Sequence, residues 1–345
     1  MATLPSLPGA PDGPPLPSVD ELLAGAVAVE LPMRVRFRGT QLRRALLLRG
    51  PHGWAEFSPF PEYGPDEASR WLAAAIEAGW QGWPEPVRDT VPVNATVPAV
   101  AAADVPAVLA RYGEVSAVKV KVAEPGQSVE DDLARVAAVR AALPEAALRV
   151  DANAGWDVPT ATTALARLAE HGLEYAEQPV PGIAPMARLR GALAAADIPV
   201  RLAADEAVRK ETDPLAVAAS GAADLIVVKV QPLGGVRRAA AIVLESGLDA
   251  VVSSALDTSV GIAGGAALAA HLPALPHACG LGTAALFEAD VCDPSWRPHH
   301  GVLPAPGRRA PAPEPTRLDR VRADEAQARW WAQRVSAARA VLAGG

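Results

Sequence analysis

From Val91 onward the chain repeats one hydropathic rhythm. A short β-branched or apolar run ends in polar residues, and an Ala/Leu/Arg-rich stretch with helical spacing follows. These runs predict strands at residues 93–97, 117–122, 148–152, 173–177, 200–205, 224–230, 249–254 and 279–283. Residues 129–142, 160–171 and 236–246, between them, have the alanine content and apolar spacing of amphipathic helices. Strands alternating with helices imply a parallel sheet, and eight such units are the number that closes a barrel. The polar strand ends Lys121, Asp151, Glu177, Asp205, Lys229 and Ser253 are spaced by 30, 26, 28, 24 and 24 residues. Each step suits one βα unit. An open doubly wound sheet has a similar step, so the spacing favours a barrel without requiring one.

The first 90 residues read differently. Ser18-Val19-Asp20-Glu21 is a capping-box pattern that starts a short helix. Alternation over residues 33–38 and 41–48 predicts antiparallel strands joined at Arg38-Gly39-Thr40, and a helical stretch covers 66–78. Residues 304–315 are proline-rich, and 324–342 form a terminal helix carrying Trp330 and Trp331. Residues 1–90 with the 301–345 tail are expected to form a small α+β domain over one mouth of a barrel spanning 91–300.

Composition narrows the function. With 50% hydrophobic and 21% charged residues the chain buries a real core, which excludes wholesale disorder. A net charge of −7 argues against a nucleic-acid partner. The Pro-rich start lacks a basic lead and apolar run, and no stretch reaches the roughly 20 apolar residues that cross a bilayer. A cytoplasmic protein with no membrane association and no obligate protein partner is expected. Two cysteines, Cys279 and Cys292, make no disulfide framework.

Only four of the 32 basic residues are lysine: Lys119, Lys121, Lys210 and Lys229. Lysine, unlike arginine, loses its proton near neutral pH when its surroundings demand it. Taken singly, each strand-end residue has an ordinary reading. Asp151 and Asp205 suit helix N-caps, Glu177 a solvated loop, Lys121 a strand tip, and Lys229 a pair with Asp224 or Asp249. Together they read otherwise. Asp151, Glu177 and Asp205 end three successive strands, and in a barrel those ends share the face where active sites are built. Three converging carboxylates repel unless a cation joins them. A hard divalent ion such as Mg²⁺ suits an all-oxygen set, whereas zinc would call for His or Cys ligands at suitable spacing. His299-His300 lies in the Pro-rich tail and reads as surface. Lys121 and Lys229, on the second and sixth strands, would face each other across the metal, with Lys119 on the same face as Lys121. A second ammonium and a dication depress a lysine pKa, giving an amine base near pH 7. Such a site removes a proton beside a carboxylate and holds the resulting enolate on the metal.

The strings Lys119-Val120-Lys121, Asp151-Ala152-Asn153, Glu177-Gln178-Pro179, Asp205-Glu206 and Lys229 resemble the enolase superfamily, in its muconate-lactonizing-enzyme-like subgroup. Arg36-Phe37-Arg38-Gly39 and residues 53–60 (GWAEFSPF) are similar to the o-succinylbenzoate synthases of the actinobacterial kind. The likeness spans roughly residues 30–300. It implies an α/β fold, a (β/α)7β TIM-like barrel with an α+β capping domain formed by the N-terminal segment and the C-terminal tail. It implies Asp151, Glu177 and Asp205 as Mg²⁺ ligands, Lys121 as the base, and Lys229 as a cation stabilising an enediolate. It further implies Asn153 and Glu206 behind the ligands, Lys119 modulating Lys121, and Ser253, Ser254 and Arg38 receiving a small-molecule carboxylate substrate. For the two serines, ordinary helix capping is an equal alternative.

The implied reaction is dehydration of 2-succinyl-6-hydroxy-2,4-cyclohexadiene-1-carboxylate to o-succinylbenzoate, a step of menaquinone biosynthesis. No histidine ends the seventh strand and no acidic pair the eighth, which disfavours mandelate-racemase and dipeptide-epimerase chemistry. Racemisation of N-succinylamino acids on the same two lysines competes. A Schiff-base aldolase using Lys229, or a binding protein without catalysis, are readings of other classes.

Overall fold

Alternating burial folds the first long stretch into a hairpin. In the computed structural model, which describes residues 4–37, 40–208 and 213–344, a capped turn α1 (Val19–Leu23) leads into β1 (Val27–Phe37) and β2 (Thr40–Arg49). Ser18 and Glu21 complete the capping box, as the pattern predicts. Arg38 and Gly39 lie outside the described residues, so the expected turn is not addressed. A third antiparallel strand, β3 (Trp54–Phe57), joins β2. It is too short for alternation to announce it. Helix α2 (Pro65–Ile76) buries Trp71, Leu72 and Ile76, and a π-helical turn, Glu77–Gln81, follows it.

After β4 (Thr90–Pro92) the alternation begins. It runs β5 (Ala95–Val97), α3 (Val105–Leu109), β6 (Ala117–Lys121), α4 (Val129–Ala142), β7 (Ala147–Asp151) and α5 (Val158–Leu168). It continues β8 (Leu173–Glu177), α6 (Ile183–Ala195), β9 (Leu202–Ala204), α7 (Asp213–Ser220), β10 (Leu225–Val228), α8 (Val236–Ser246), β11 (Asp249–Val252) and α9 (Ser259–His271). Strands β5 to β11 form one parallel sheet in sequence order. Its strands are buried on both faces, as a sheet flanked by helices demands. Tyr175, Ala203, Leu225, Val227 and Val251 form a small cluster apart from the main core.

The eighth expected strand, 279–283, is much shorter than its sequence suggests. Cys279 bridges Val93 and Gly280 bridges Ser253, in parallel sense, while Thr283–Leu286 turns into a 3₁₀ helix. Gly280 and Gly282 explain this: glycine lacks the side chain that holds a strand to its neighbours. The two bridging residues nonetheless bond to both outer strands' continuations, Cys279 N–H to Pro92 and Gly280 N–H to Val252.

The tail returns to the first elements. Strand β12 (Val302–Pro304) pairs antiparallel with β4. Helices α10 (Pro315–Val321) and α11 (Glu325–Gly344) follow, and Trp331 of α11 packs edge-on against Phe57 of β3, with ring centroids 5.6 Å apart. None of the described helices is long and apolar enough to cross a membrane.

Candidate active site

Parallel register sets the site. Lys121 pairs with Asp151 and Asp151 with Glu177 across β6, β7 and β8, so three strand-end side chains arrive level with one another. Asp205 and Lys229 stand one residue beyond β9 and β10, out of the hydrogen-bonded ladder. Strands expected to reach 205 and 230 therefore stop at Ala204 and Val228. One cavity is lined by Lys119, Lys121, Asp151, Asp205, Lys229, Ser253 and Ser254, together with Thr96, Ala255, Leu256, Gly280 and Thr283.

Charges in the cavity are interleaved. Lys121 Nζ donates to Asp151 Oδ2 at 2.6 Å and to Asn153 Oδ1 at 2.5 Å. Lys119 Nζ donates to both oxygens of Glu177, at 3.0 and 3.1 Å, and lies 3.1 Å from Asp151 Oδ2. Lys229 pairs with Asp205, whereas Asp224 is taken by Arg190 and Asp249 by Arg201, so the pairings considered for Lys229 alone do not form. Asn153 also donates to Glu206 Oε1 at 3.1 Å, which puts both behind the lysine. The five acids and amines carrying the expected chemistry thus meet in one place, and Lys119, Asn153, Glu206, Ser253 and Ser254 accompany them. Arg38 lies outside the described residues.

The three acids press on one another. Burial first, then the negative charge of Asp151 and, beyond the opposing Lys119, that of Asp205 push the Glu177 carboxyl up to about 7. Burial disfavours a charge on Lys119, but Glu177 and Asp151 outweigh it and hold its ammonium above the ordinary lysine range. The carboxylates beside Lys119 thus keep it a cation. Among the described residues no three acids, histidines or cysteines are gathered as a closed metal-holding cluster. Lys119 instead bridges Asp151 and Glu177. Three mutually repelling, buried carboxylates and no imidazole or thiolate among them are a donor set that fits a hard divalent cation.

Backbone strain marks the same rim. Ala123, Asn153, Ala154, Gln178 and Leu256, none of them glycine, have φ of 59°, 45°, 62°, 37° and 62° just after the strand ends. Each turn has a holder. Asp132 of α4 accepts the Ala123 N–H, and Arg135 donates to the Lys121 carbonyl at 2.7 Å. Gln178, wholly buried, accepts the backbone N–H groups of Asp205 and Ala207 at 2.9 and 3.0 Å and donates to the Val180 carbonyl. It sits inside a quoted sequence string, yet nothing in its residue type announced this role. Arg135, Asp132, Thr96 and Thr283 were equally silent. Ser253 and Ser254 are not helix caps: Thr258 caps α9, while the Ser254 hydroxyl lies 2.6 Å from Thr283 Oγ1 and donates to the Gly280 carbonyl. His299 and His300 are exposed, as expected.

Comparison with known proteins shows the family and the fold. Residues 100–310 match the family model described as enolase C-terminal domain-like, and residues 28–79 match enolase N-terminal domain-like. The chain is 52% identical over 314 residues to an o-succinylbenzoate synthase of Thermobifida fusca, covering 91% of this chain and 95% of that one. It is 50% identical over 328 residues to an o-succinylbenzoate synthase of Mycolicibacterium smegmatis, covering 95% and 99%. Among solved structures, 2-chloromuconate cycloisomerase from Rhodococcus opacus superposes with TM-score 0.71 at 23% identity, covering 86% of this chain and 98% of that one. A muconate lactonizing enzyme from Pseudomonas fluorescens gives 0.72 at 21% identity, with the same coverage. These structural matches establish an α/β enolase fold. With half its residues shared over nearly its whole length, the chain belongs to the o-succinylbenzoate synthase family of the enolase superfamily.

Proposed function

We propose that the chain dehydrates 2-succinyl-6-hydroxy-2,4-cyclohexadiene-1-carboxylate to o-succinylbenzoate, in a (β/α)7β barrel closed through residues 279–280. Residues 1–90 and the 301–345 tail form the capping domain over the barrel of 91–300. The observation that carries the reading is the meeting of Lys121 and Lys229 in one cavity, each paired to a different aspartate.

Asp151, Glu177 and Asp205 would hold Mg²⁺. When bound, the ion supplies fixed positive charge beside the substrate carboxylate as negative charge accumulates there. Lys121 takes the proton from the carbon bearing the carboxylate. The C–H electrons enter the ring, the bond to the hydroxyl oxygen breaks, and Lys121 returns the proton to that oxygen on the same side. Water leaves and the ring becomes aromatic, so the step balances without an oxidant. Lys229 stays cationic and offsets the charge on the enediolate. Lys119 keeps Glu177 and Asp151 neutralised, Asn153, itself bonded to Glu206, holds the Lys121 nitrogen in place, and Ser253 and Ser254 receive a substrate carboxylate. Arg38 is retained as a substrate-binding candidate from sequence alone.

Purified protein supplied with Mg²⁺ and the cyclohexadiene is expected to consume the diene absorbance. Racemisation of an N-succinylamino acid without any loss of the diene would overturn the reading in favour of the racemase.

A further inference from the structure

Two buried glutamates from the first 90 residues cap barrel helices that offer no side-chain cap, or only part of one. Glu77, on the π-helical turn, accepts the N–H groups of Val236 and Arg237 at the start of α8, where the cap residue is Gly235. A Cβ on Gly235 would lie 2.3 Å from Glu77 Oε2, so the glycine makes room for the carboxylate. Glu56, on β3, does the same for α9. Its Oε2 accepts from Thr258 N at 3.0 Å, Thr258 Oγ1 at 2.6 Å and Gly261 N at 3.1 Å. Gly261 is likewise open, since a Cβ there would stand 2.8 Å from the same oxygen.

The two caps differ in what lies next to them. Upstream of α8, Lys229 alone lines the cavity, several residues from the cap. Upstream of α9, the cap follows directly on residues 253–256, all four of which line it. Ser253 and Ser254 are tied to Val228 and Gly280, whereas the strained end of the segment, Leu256, is held from the first 90 residues. Arg43 of β2 donates to the Leu256 carbonyl at 3.0 Å and to Ser58, and Ser58 donates to Glu56 Oε1 at 2.6 Å. Asp257 accepts the Ala255 N–H at 3.1 Å. Arg43, Glu56 and Asp257 are all at most 4% exposed, so water does not compete for these bonds.

We propose that Glu56 is a positioning residue: by fixing Thr258 and Gly261 it holds the wall formed by residues 253–256 in the conformation that receives the substrate carboxylate. The inference rests on the role assigned above to Ser253 and Ser254. Glu56 touches no substrate, and its effect passes through Thr258 and the strained Leu256 turn. The cap is thereby coupled to substrate affinity and not only to the stability of the domain contact.

Amide hydrogen exchange and steady-state kinetics together test this on the full-length protein. In Glu56→Ala, exchange over residues 253–258 is expected to quicken at least tenfold. KM is expected to rise about tenfold with kcat changed less than about threefold, the size of a lost charge-assisted bond network. Glu56→Gln, which keeps an acceptor oxygen toward Thr258, is expected to stay within about threefold of wild type in both. Glu77→Ala is the control: it should lose comparable stability while leaving KM and exchange at 253–258 unchanged. Unaltered exchange at 253–258 in Glu56→Ala, or an equal rise of KM in Glu77→Ala, would overturn the proposal. Should Glu56→Ala not fold, Thr258→Val removes one donor to the same oxygen and must shift exchange and KM in the same direction. If wild type itself does not consume the diene, the functional reading fails on its own, and the exchange data still decide the positioning role.

Discussion

Lys119 and Lys121 stand two residues apart on one face of β6, yet they meet different acids. Lys119 spans Asp151 and Glu177, while Lys121 reaches Asp151 and Asn153. That division fits the proposed roles, Lys119 in charge balance and Lys121 as the proton carrier in the cavity that Lys229 also lines. Lys121→Ala and Lys229→Ala are each expected to lower kcat by about a thousandfold or more at saturating Mg²⁺, with far-UV circular dichroism unchanged. Near-normal turnover in either variant would remove that lysine from its role. Gln178 acts one step further back, through the backbone of Asp205 and Ala207. Gln178→Leu removes the one oxygen that accepts both N–H groups, and Mg²⁺ affinity read by calorimetry is expected to fall roughly tenfold or more. Unchanged affinity would show that the 205–207 turn holds itself.

At the level of elements, helix α4 buttresses the end of β6. Asp132 and Arg135 form a buried pair at 2.9 Å, and Arg135 also ties the carbonyls of Val100 and Lys121. Arg135→Met strands Asp132 in the core and is expected to cost about 3 kcal/mol in urea unfolding. A loss under 1 kcal/mol would mean that the helix needs no such strap. Helix α4 and helix α8 match their sequence patterns end to end, because apolar spacing and caps are local properties. Lys121, Asp151, Glu177, Asp205 and Lys229 were legible for a related reason: a fixed βα step delivers them to one rim. What was not legible depends on contacts between distant segments. The short strand β3 exists because β2 lies beside it. The eighth run shrinks to two bridging residues because its glycines supply no packing. Glu56 reads as an ordinary residue of a short apolar run until α9, two hundred positions away, is brought against it. Positive φ at Ala123, Gln178 and Leu256 is likewise imposed by tertiary bonds, since nothing in alanine, glutamine or leucine favours it.

Across the whole molecule, a half-buried and a buried carboxylate pull stability in opposite directions with pH. Glu174, at the end of β8 away from the cavity, is pushed up by burial, but the hydrogen bond with His277 and the Arg149 guanidinium outweigh this and hold it at about 2. Its ordinary value is 4.5, so its contribution is complete above that pH and is lost as pH falls toward 2. The stability advantage of wild type over Glu174→Gln, read from urea midpoints, is therefore expected to shrink below pH 4.5. Glu56 works in reverse: burial, then Asp257, raise it to about 7, so its contribution declines as pH rises from 4.5 to 7. A wild-type midpoint that falls relative to Glu56→Gln over that interval would bear this out; a constant difference would not. These effects tune the frame, whereas the proposed chemistry calls for three acids sharing a cation beside two amines. The most direct measurement follows the diene's ultraviolet absorbance with wild-type protein, first stripped of metal by EDTA and then resupplied with Mg²⁺. Turnover that vanishes on stripping and returns with Mg²⁺ is the expected result, and undiminished turnover in the stripped protein would contradict it.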